Sequence, residues 1–134
     1  MEDNKRVCFA VVAATLVNKK RYNGVYDYFQ SRHISVSSSN AESTTPHFYD
    51  HNRGGAVSGC NHGMYDYPSS SHVSIHVNNN RVDCYDFETK SHLTYNVNGN
   101  SVSAYDFQTS SHYNYSVNWF PGYTWILEEC FSDL

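Results

Sequence analysis

The chain has 134 residues, a length typical of one domain with one core. Nine Lys and Arg against 13 Asp and Glu give a formal net charge of −4, which excludes the broad positive field that nucleic-acid binding requires. Charged residues are only 16% of the chain and Tyr fills 12 positions, a composition typical of turn-rich β-structure whose strand edges are poorly protected by charge. Pairing of such edges between copies is therefore expected.

An apolar run over residues 7–17 follows two acidic residues near the start of the chain. It is too short to span a bilayer, so we predict no membrane span, and the acidic start does not fit the positive beginning of an export signal. Phe9 and Val11 belong to an alternating pattern typical of a half-buried strand. We predict an N-terminal strand within residues 5–23, with an export signal as the alternative.

A unit of the form Tyr-Asp-[Tyr/Phe], followed by His, recurs along residues 24–117. Tyr65, Tyr85 and Tyr105 are 20 residues apart, a fourth full copy lies upstream, and a fifth copy at Tyr49 is degenerate. The full copies carry, in chain order, Tyr26, Asp27 and His33; Tyr65, Asp66 and His72; Tyr85, Asp86 and His92; and Tyr105, Asp106 and His112. A fixed period of this kind indicates a tandem-repeat architecture.

The repeat also predicts its own hairpins. Asn98-Gly99, flanked by alternating residues, is a strong signal for a two-residue type I′ turn with positive φ at both central positions. Closing the hairpin there pairs Val97 with Asn100 and sets His92 opposite Tyr105. We therefore predict an all-β fold, an antiparallel β-meander of hairpin repeats of about 20 residues, arranged as a sandwich, a barrel or a solenoid-like slab.

The repeated aspartates lie on the apolar face beside the loops in this register. A carboxylate there can accept hydrogen bonds from loop N–H groups such as those of Ser110 or Ser111. We assign this loop-capping role to Asp27, Asp66, Asp86 and Asp106. Several copies of one constellation along a sheet are typical of structure rather than catalysis, so no catalytic residue and no cofactor is predicted.

The cysteines give no metal site and no disulfide framework. They stand at positions 8, 60, 84 and 130, with irregular spacing and no CxxC pair. Cys60-Asn61-His62 would supply half of a metal site, but no second half of fitting spacing follows. We interpret the four cysteines as buried thiols and predict no bound metal.

The other face of the sheet carries rows of aromatic and imidazole side chains. Such rings beside Asn, Ser and His suit stacking on sugars, or packing against a second sheet or another copy of the protein. The candidate ligand-binding residues are Tyr65, Tyr85, Tyr105, His72, His92 and His112. A possible glycan partner is one hypothesis that follows from them.

The C-terminal segment 118–134 departs from the repeat and concentrates large apolar side chains. It is expected to cap the repeats within a single domain, 1–134, or to dock on a neighbouring subunit. Candidate assembly residues are Phe9 and Val11, through strand addition, together with Trp119 and Trp125.

The pattern Y-D-[YF]-x4-H, with the linking turn V-N-G-N-S-V, resembles small bacterial proteins built from tandem repeats of this kind over residues 5–117. The resemblance implies repetition and a bacterial source and carries no activity. It leaves the location open between the cytoplasm and the cell surface or extracellular space. From the residues we predict a non-enzymatic, self-associating structural protein, in the form of a fibre or another homo-oligomer. The alternative is a carbohydrate-binding module that uses the repeated Tyr/His face.

Overall fold

The protein's structure, a computed structural model, describes residues 1–38, 45–60 and 62–118. This part of the chain forms one helix and an 11-stranded sheet in which every pair of neighbours is antiparallel, which confirms the predicted all-β meander. In chain order the elements are α1 (Asp3–Asn18), β1 (Gly24–Asp27), β2 (Arg32–Ile34), β3 (Val36–Ser38), β4 (His47–Asp50), β5 (Gly55–Cys60), β6 (Gly63–Asp66), β7 (Ser71–Asn78), β8 (Arg81–Asp86), β9 (Ser91–Asn98), β10 (Ser101–Asp106) and β11 (Ser111–Asn118).

The sheet rolls into a nearly closed barrel. Its strand order is β2-β1-β11-β10-β9-β8-β7-β6-β5-β4-β3, so the two edge strands follow each other in the chain with only Ser35 between them. Near this seam the Ser38 amide donates to the Tyr22 carbonyl at 3.0 Å, and the Tyr22 amide donates to Ser38 Oγ at 2.9 Å. Because β2 and β3 together act as one bent strand, the described residues leave no long strand edge open.

Helix α1 lies inside this barrel, and the predicted N-terminal strand within residues 5–23 is wrong. Every residue from Lys5 to Leu16 is buried, so the helix meets strands on all sides. A helix that is apolar all round belongs in a core, and 16 residues give it a length of about 24 Å. The alternating pattern does not distinguish a strand, with a period of two residues, from a helix, with a period of about 3.6, because the residues between the alternating positions are apolar as well.

The burial of α1 also corrects the predicted assembly role of its side chains. Phe9 is 1% exposed and Val11 is 0% exposed, both in the core that α1 forms with the inner face of the sheet. Neither side chain can reach a neighbouring molecule while the barrel is folded. Strand addition through this segment is therefore excluded for the folded protein.

The hairpin register differs from the predicted one by two residues. Asn98 pairs with Ser101 and Val97 with Val102, so the two-residue loop is Gly99-Asn100. Gly99 has φ of 59°, and its following residue does not have positive φ, which rules out the predicted type I′ turn. A shift of two keeps every side chain on its predicted face, because faces alternate with a period of two.

The register shift changes the cross-strand partner of each histidine. His92 lies opposite Tyr85, not opposite Tyr105, and Tyr105 lies opposite His112. Each Tyr-Asp-[Tyr/Phe]-x4-His unit is thus a hairpin of its own, closed by a four-residue turn. The turns at Ser70, Lys90 and Ser110 end on a residue with φ between 53° and 56°, which is the feature that the sequence did not reveal.

No helix among the described residues is long and apolar enough to cross a membrane.

Candidate ligand-binding surface

Five buried aspartates, one per unit, lie at the same end of the barrel and form what we call the aspartate ring. Each ends a strand and is at most 1% exposed, and the members are Asp27, Asp50, Asp66, Asp86 and Asp106. Four of them accept a hydrogen bond from the backbone amide two residues later, at 2.9–3.1 Å. The capping donors are therefore the amides of Phe29, Asn52, Glu88 and Gln108, and not those of Ser110 or Ser111.

Asp66 is capped differently because Pro68 stands two residues later and has no N–H. Ser69 Oγ donates to Asp66 Oδ2 at 2.5 Å instead. Arg53 adds a bidentate contact to the same carboxylate, with nitrogen–oxygen distances of 2.7 and 2.8 Å, and also binds Asp50 at 2.6 Å. Arg53, in the turn of the degenerate unit at Tyr49, thus supplies the positive charge that pairs with Asp66 of the next unit.

Two cations of α1 form ion pairs with three members of the aspartate ring. Lys5 Nζ lies 2.7 Å from Asp86 Oδ1 and 4.0 Å from Asp66 Oδ2. Arg6 Nη1 lies 3.1 Å from Asp106 Oδ2, and its guanidinium stands 3.5 Å from the centre of the Tyr113 ring. Because every carboxylate of the ring is occupied by loop or cation donors, the ring holds the turns and α1 in place.

The surroundings of the buried thiols and phenols keep these groups protonated. Burial raises the pKa of the Cys8 and Cys84 thiols, with neighbouring aspartates as a smaller cause. Burial likewise raises the pKa of the Tyr95 and Tyr115 phenols. None of these groups is placed to act as a nucleophile or a base.

On the outside of the same end, each full unit packs three rings into a cluster that we call a triad. The central strand tyrosine meets the ring two residues later and the histidine across the hairpin, with centroid distances of 4.7–4.8 Å. Edge-to-face contacts of this kind stabilise aromatic pairs by about 0.5–1.5 kcal/mol beyond burial. The four triads are Tyr26, Tyr28 and His33; Tyr65, Tyr67 and His72; Tyr85, Phe87 and His92; and Tyr105, Phe107 and His112.

A hydroxyl stands beside the central tyrosine of every triad, on the strand of the neighbouring unit. Opposite Tyr65 is Ser58, and opposite Tyr85 is Ser74. The other two triads have Ser116 and Thr94 at this place. Direct cross-strand neighbours have Cβ atoms about 4.5–5.5 Å apart, so each triad combines ring faces, an imidazole and a hydroxyl within one small area.

The exposed rings of Tyr and Phe form what we call the aromatic belt around this end of the barrel. They are 42–60% exposed, and the members are Tyr28, Phe29, Tyr49, Tyr67, Phe87 and Phe107. Four of these exposed rings, Tyr28, Tyr67, Phe87 and Phe107, occupy equivalent positions, and such a set is typical of an interaction surface. The third letter of the repeat, always aromatic in the full copies, is the sequence signal for four of these rings, which the predicted ligand-binding residues do not include.

The unit at Tyr49 lacks a complete triad. Ala56 lies opposite Tyr49 in place of a histidine, and His51 occupies the position of the outer ring. His51 Nε2 is 2.9 Å from Ser37 Oγ, so its ring is held by a hydrogen bond to β3. This unit is a natural control for the four complete ones.

The central tyrosines stand on alternate strands of the rolled sheet: β1, β10, β8, β6 and β4. With β2 and β3 counted as one bent strand, two of ten strand positions separate each tyrosine from the next. Neighbouring triads are therefore about 10 Å apart along the sheet and face directions about a fifth of a turn apart.

The turns beside two of the triads carry no charge. Residues 67–71 contain Tyr, Pro and Ser only, and residues 107–111 contain Phe, Gln, Thr and Ser. A ligand there meets rings, hydroxyls and an amide, which suits a neutral polyhydroxyl compound better than an ion.

A concave pocket lies at the seam of the barrel. It has a volume of about 640 Å³, and its lining includes Val25, Ile34 and Asn118. None of the candidate residues from the Tyr65, Tyr85 and Tyr105 units lines it. It provides an alternative location for a ligand, and it shares His33 with the triad of Tyr26.

The remaining predicted groups divide into two sets. Trp119, Trp125 and the rest of the predicted tail after residue 118 lie outside the described residues, as does Cys130. Cys8, Cys60 and Cys84 are free thiols, of which Cys60 is only half-buried. Over the described ranges, no three His, Cys, Asp or Glu residues are placed to hold a metal ion.

No family model matches the sequence, and comparisons with curated proteins and with solved structures likewise give no match.

Proposed function

We propose that this protein is a non-enzymatic carbohydrate-binding module whose triads are the ligand subsites. The carrying observation is the triad itself, in which an exposed ring stands beside an imidazole and a hydroxyl in four of the five units. A sugar presents an apolar face to a ring and hydroxyl groups to hydrogen-bonding neighbours, so one triad meets both needs. The uncharged turns at 67–71 and 107–111 support a neutral ligand.

Self-association through the belt is the second candidate, favoured by the exposure of all six belt rings at one end of the barrel. The small area of the belt that a partner can cover makes self-association the weaker candidate. A Tyr or Phe buries about 150–250 Å² when fully covered, and a standard interface takes about 800 Å² from each partner. Because the triads face different directions, a partner that approaches from one side covers about two half-exposed rings, which is well short of that area.

The fold also removes two of the arguments for a fibre, namely open strand edges and strand addition by the apolar segment. The sheet leaves no long open edge in the described residues, since β2 and β3 are three residues each and adjoin at Ser35. The apolar segment intended for strand addition is inside the barrel. A carbohydrate ligand requires neither an open edge nor a large flat surface.

The test is a binding screen against a panel of neutral glycans, including β-glucan, galactomannan and xylan with their tetrasaccharide fragments. The wild-type protein is compared with Phe87→Ala and with His51→Ala, which changes the incomplete unit. We expect binding of at least one glycan class, weakened at the altered subsite by Phe87→Ala and unchanged by His51→Ala. Absence of binding across the panel, or equal loss in both variants, would sink the proposal.

The rival is tested on the same samples by light scattering over a dilution series without glycan. A monomer at every concentration removes self-association as the function of the belt. A reversible oligomer that Phe87→Ala and Phe107→Ala abolish would favour it over carbohydrate binding.

A further inference from the structure

We infer that the four triads are independent, equivalent subsites, so that one molecule binds several glycan chains at once and cross-links them. This inference rests on the proposed function and specifies how the belt would work. The first ground is that the triads share one geometry, with centroid distances that differ by no more than 0.1 Å between units. Equivalent ring geometry predicts similar intrinsic affinity at each subsite for a neutral ligand that contacts the rings, although Glu88 and Lys90 stand in the turn beside Phe87 and Arg32 follows the turn beside Tyr28.

The second ground is the direction in which each triad faces. Successive triads are separated by two of the ten strand positions around α1, so their outer rings face outwards about a fifth of a turn apart. A stiff sugar chain lying on Phe87 leaves this surface before it reaches the ring two units away. The four subsites therefore do not form one continuous groove, and each accepts a separate chain or a separate part of a branched ligand.

The third ground is that the positions of the triads are rigid. The turn beside each triad is fixed from inside by an aspartate of the ring, and Asp66 and Asp86 are tied further to Arg53 and Lys5. Each triad thus stands on the outer side of a hairpin whose inner side is a buried ion pair or a capped turn. Rigid presentation limits the ordering cost of each binding event, which makes the gain from several weak sites effective.

Multivalent binding converts weak single-site affinity into tight retention on a polymer. Linked sites raise the apparent affinity by about 10²–10⁴-fold without any new contact. We expect a short oligosaccharide to bind weakly with four equivalents per molecule, while the parent polysaccharide is retained strongly and precipitates. The incomplete unit at Tyr49 contributes no equivalent.

The experiment compares wild-type protein with a one-subsite variant, Tyr28→Ala/Tyr67→Ala/Phe107→Ala, which keeps the triad of Phe87. The control is His51→Ala, and circular dichroism establishes that all three proteins are folded. Titration calorimetry with the tetrasaccharide that binds in the panel gives the stoichiometry. Turbidity with the corresponding polysaccharide reports cross-linking.

We expect four equivalents and precipitation for the wild type and for His51→Ala. The one-subsite variant is expected to bind one equivalent with unchanged intrinsic affinity and to form no precipitate. A wild-type stoichiometry of one, or precipitation that persists in the one-subsite variant, overturns the inference while leaving carbohydrate binding intact. Absence of tetrasaccharide and polysaccharide binding overturns the proposed function itself.

Discussion

Replacement of Lys5 by Met tests whether α1 is held in the barrel by buried charge pairs. Lys5 Nζ binds Asp86 Oδ1 at 2.7 Å and Ser71 Oγ at 2.9 Å, and the side chains of Lys5 and Asp86 are at most 1% exposed. Met retains the apolar stem and removes the charge, which leaves the Asp86 carboxylate buried without its cation. Breaking one side of a buried pair costs about 3–5 kcal/mol, a large share of the usual stability of about 5–15 kcal/mol.

Urea unfolding followed by circular dichroism measures this loss. With a denaturant slope of about 1–3 kcal/mol/M, the midpoint should fall by about 1 M or more. The matched control is Arg81→Met, because Arg81 pairs with Asp83 at 3.1 Å but is 56% exposed. An exposed pair contributes less than about 1 kcal/mol, so the urea midpoint of the control variant should change very little. Equal shifts in the two variants would refute the reasoning.

A double variant identifies the cause of the loss. Asp86→Asn keeps a side-chain oxygen for the Glu88 amide and removes the charge that Lys5 neutralises. In Lys5→Met/Asp86→Asn no unpaired charge remains at this contact, so the double variant should be more stable than the sum of the two single changes implies. Strict additivity of the two losses would show that the pair is not coupled.

Phe9→Ala should lower the free energy of unfolding by about 3–5 kcal/mol in the same urea assay, because it empties a fully buried site on α1; a loss near zero would mean that the helix is not in the core. Gly59→Ala should be more destabilising than Gly99→Ala, since a Cβ at Gly59 would stand 2.3 Å from a backbone oxygen, while Gly99 has positive φ but open space around it; the reverse order of urea midpoints would contradict this. Because burial raises the pKa of the Cys84 thiol above 9.0, its contribution to stability is fully present below that pH and is lost as the pH rises towards the folded pKa, by about 1.4 kcal/mol per pH unit. Cys84→Ala should lessen the alkaline slope of stability by this share, while Cys8, Tyr95 and Tyr115 keep theirs, and an unchanged slope would contradict the burial of the Cys84 thiol. In a Cys130→Ser background, Ellman's reagent should modify half-buried Cys60 well before Cys84, and simultaneous modification of both would argue against the packed interior.

The sheet could be predicted because local signals in the repeat agree with each other. The period, the alternation and the Asn-Gly turn all indicate hairpins, and the inner face was correct even though the pairing of Val97 was not. A register error of two residues leaves face assignments unchanged, since side chains alternate with a period of two. Only the cross-strand partners were predicted wrongly, such as Tyr105 in place of Tyr85 for His92.

The position of α1 could not be predicted from the same signals. Residues 7–17 are apolar except for Thr15, and such a run fits a buried strand and a buried helix equally well by periodicity. Tertiary packing decides that this segment is a helix, because the rolled sheet leaves an apolar interior that a helix of 16 residues fills. The cations at Lys5 and Arg6 were the available clue, because two buried charges next to an apolar run require the ring of carboxylates that five repeats supply.

For the candidate site, the sequence identified the central rings and histidines but not their grouping. The hydroxyls of Ser58 and Ser74 belong to neighbouring units, and their place beside Tyr65 and Tyr85 depends on the register. The exposure of Phe87 depends on where the turn begins. Both facts require the folded backbone.

The most direct test of the triads as ligand subsites is a nuclear magnetic resonance titration of labelled protein with a glycan that binds in the panel. We predict that shift changes concentrate on the rings of the four triads, in a common pattern, and leave the His51 ring and the seam at Val25 and Ile34 unchanged. Changes confined to the seam lining, His33 included, with the rings of the Tyr65, Tyr85 and Tyr105 units unaffected, would contradict the account.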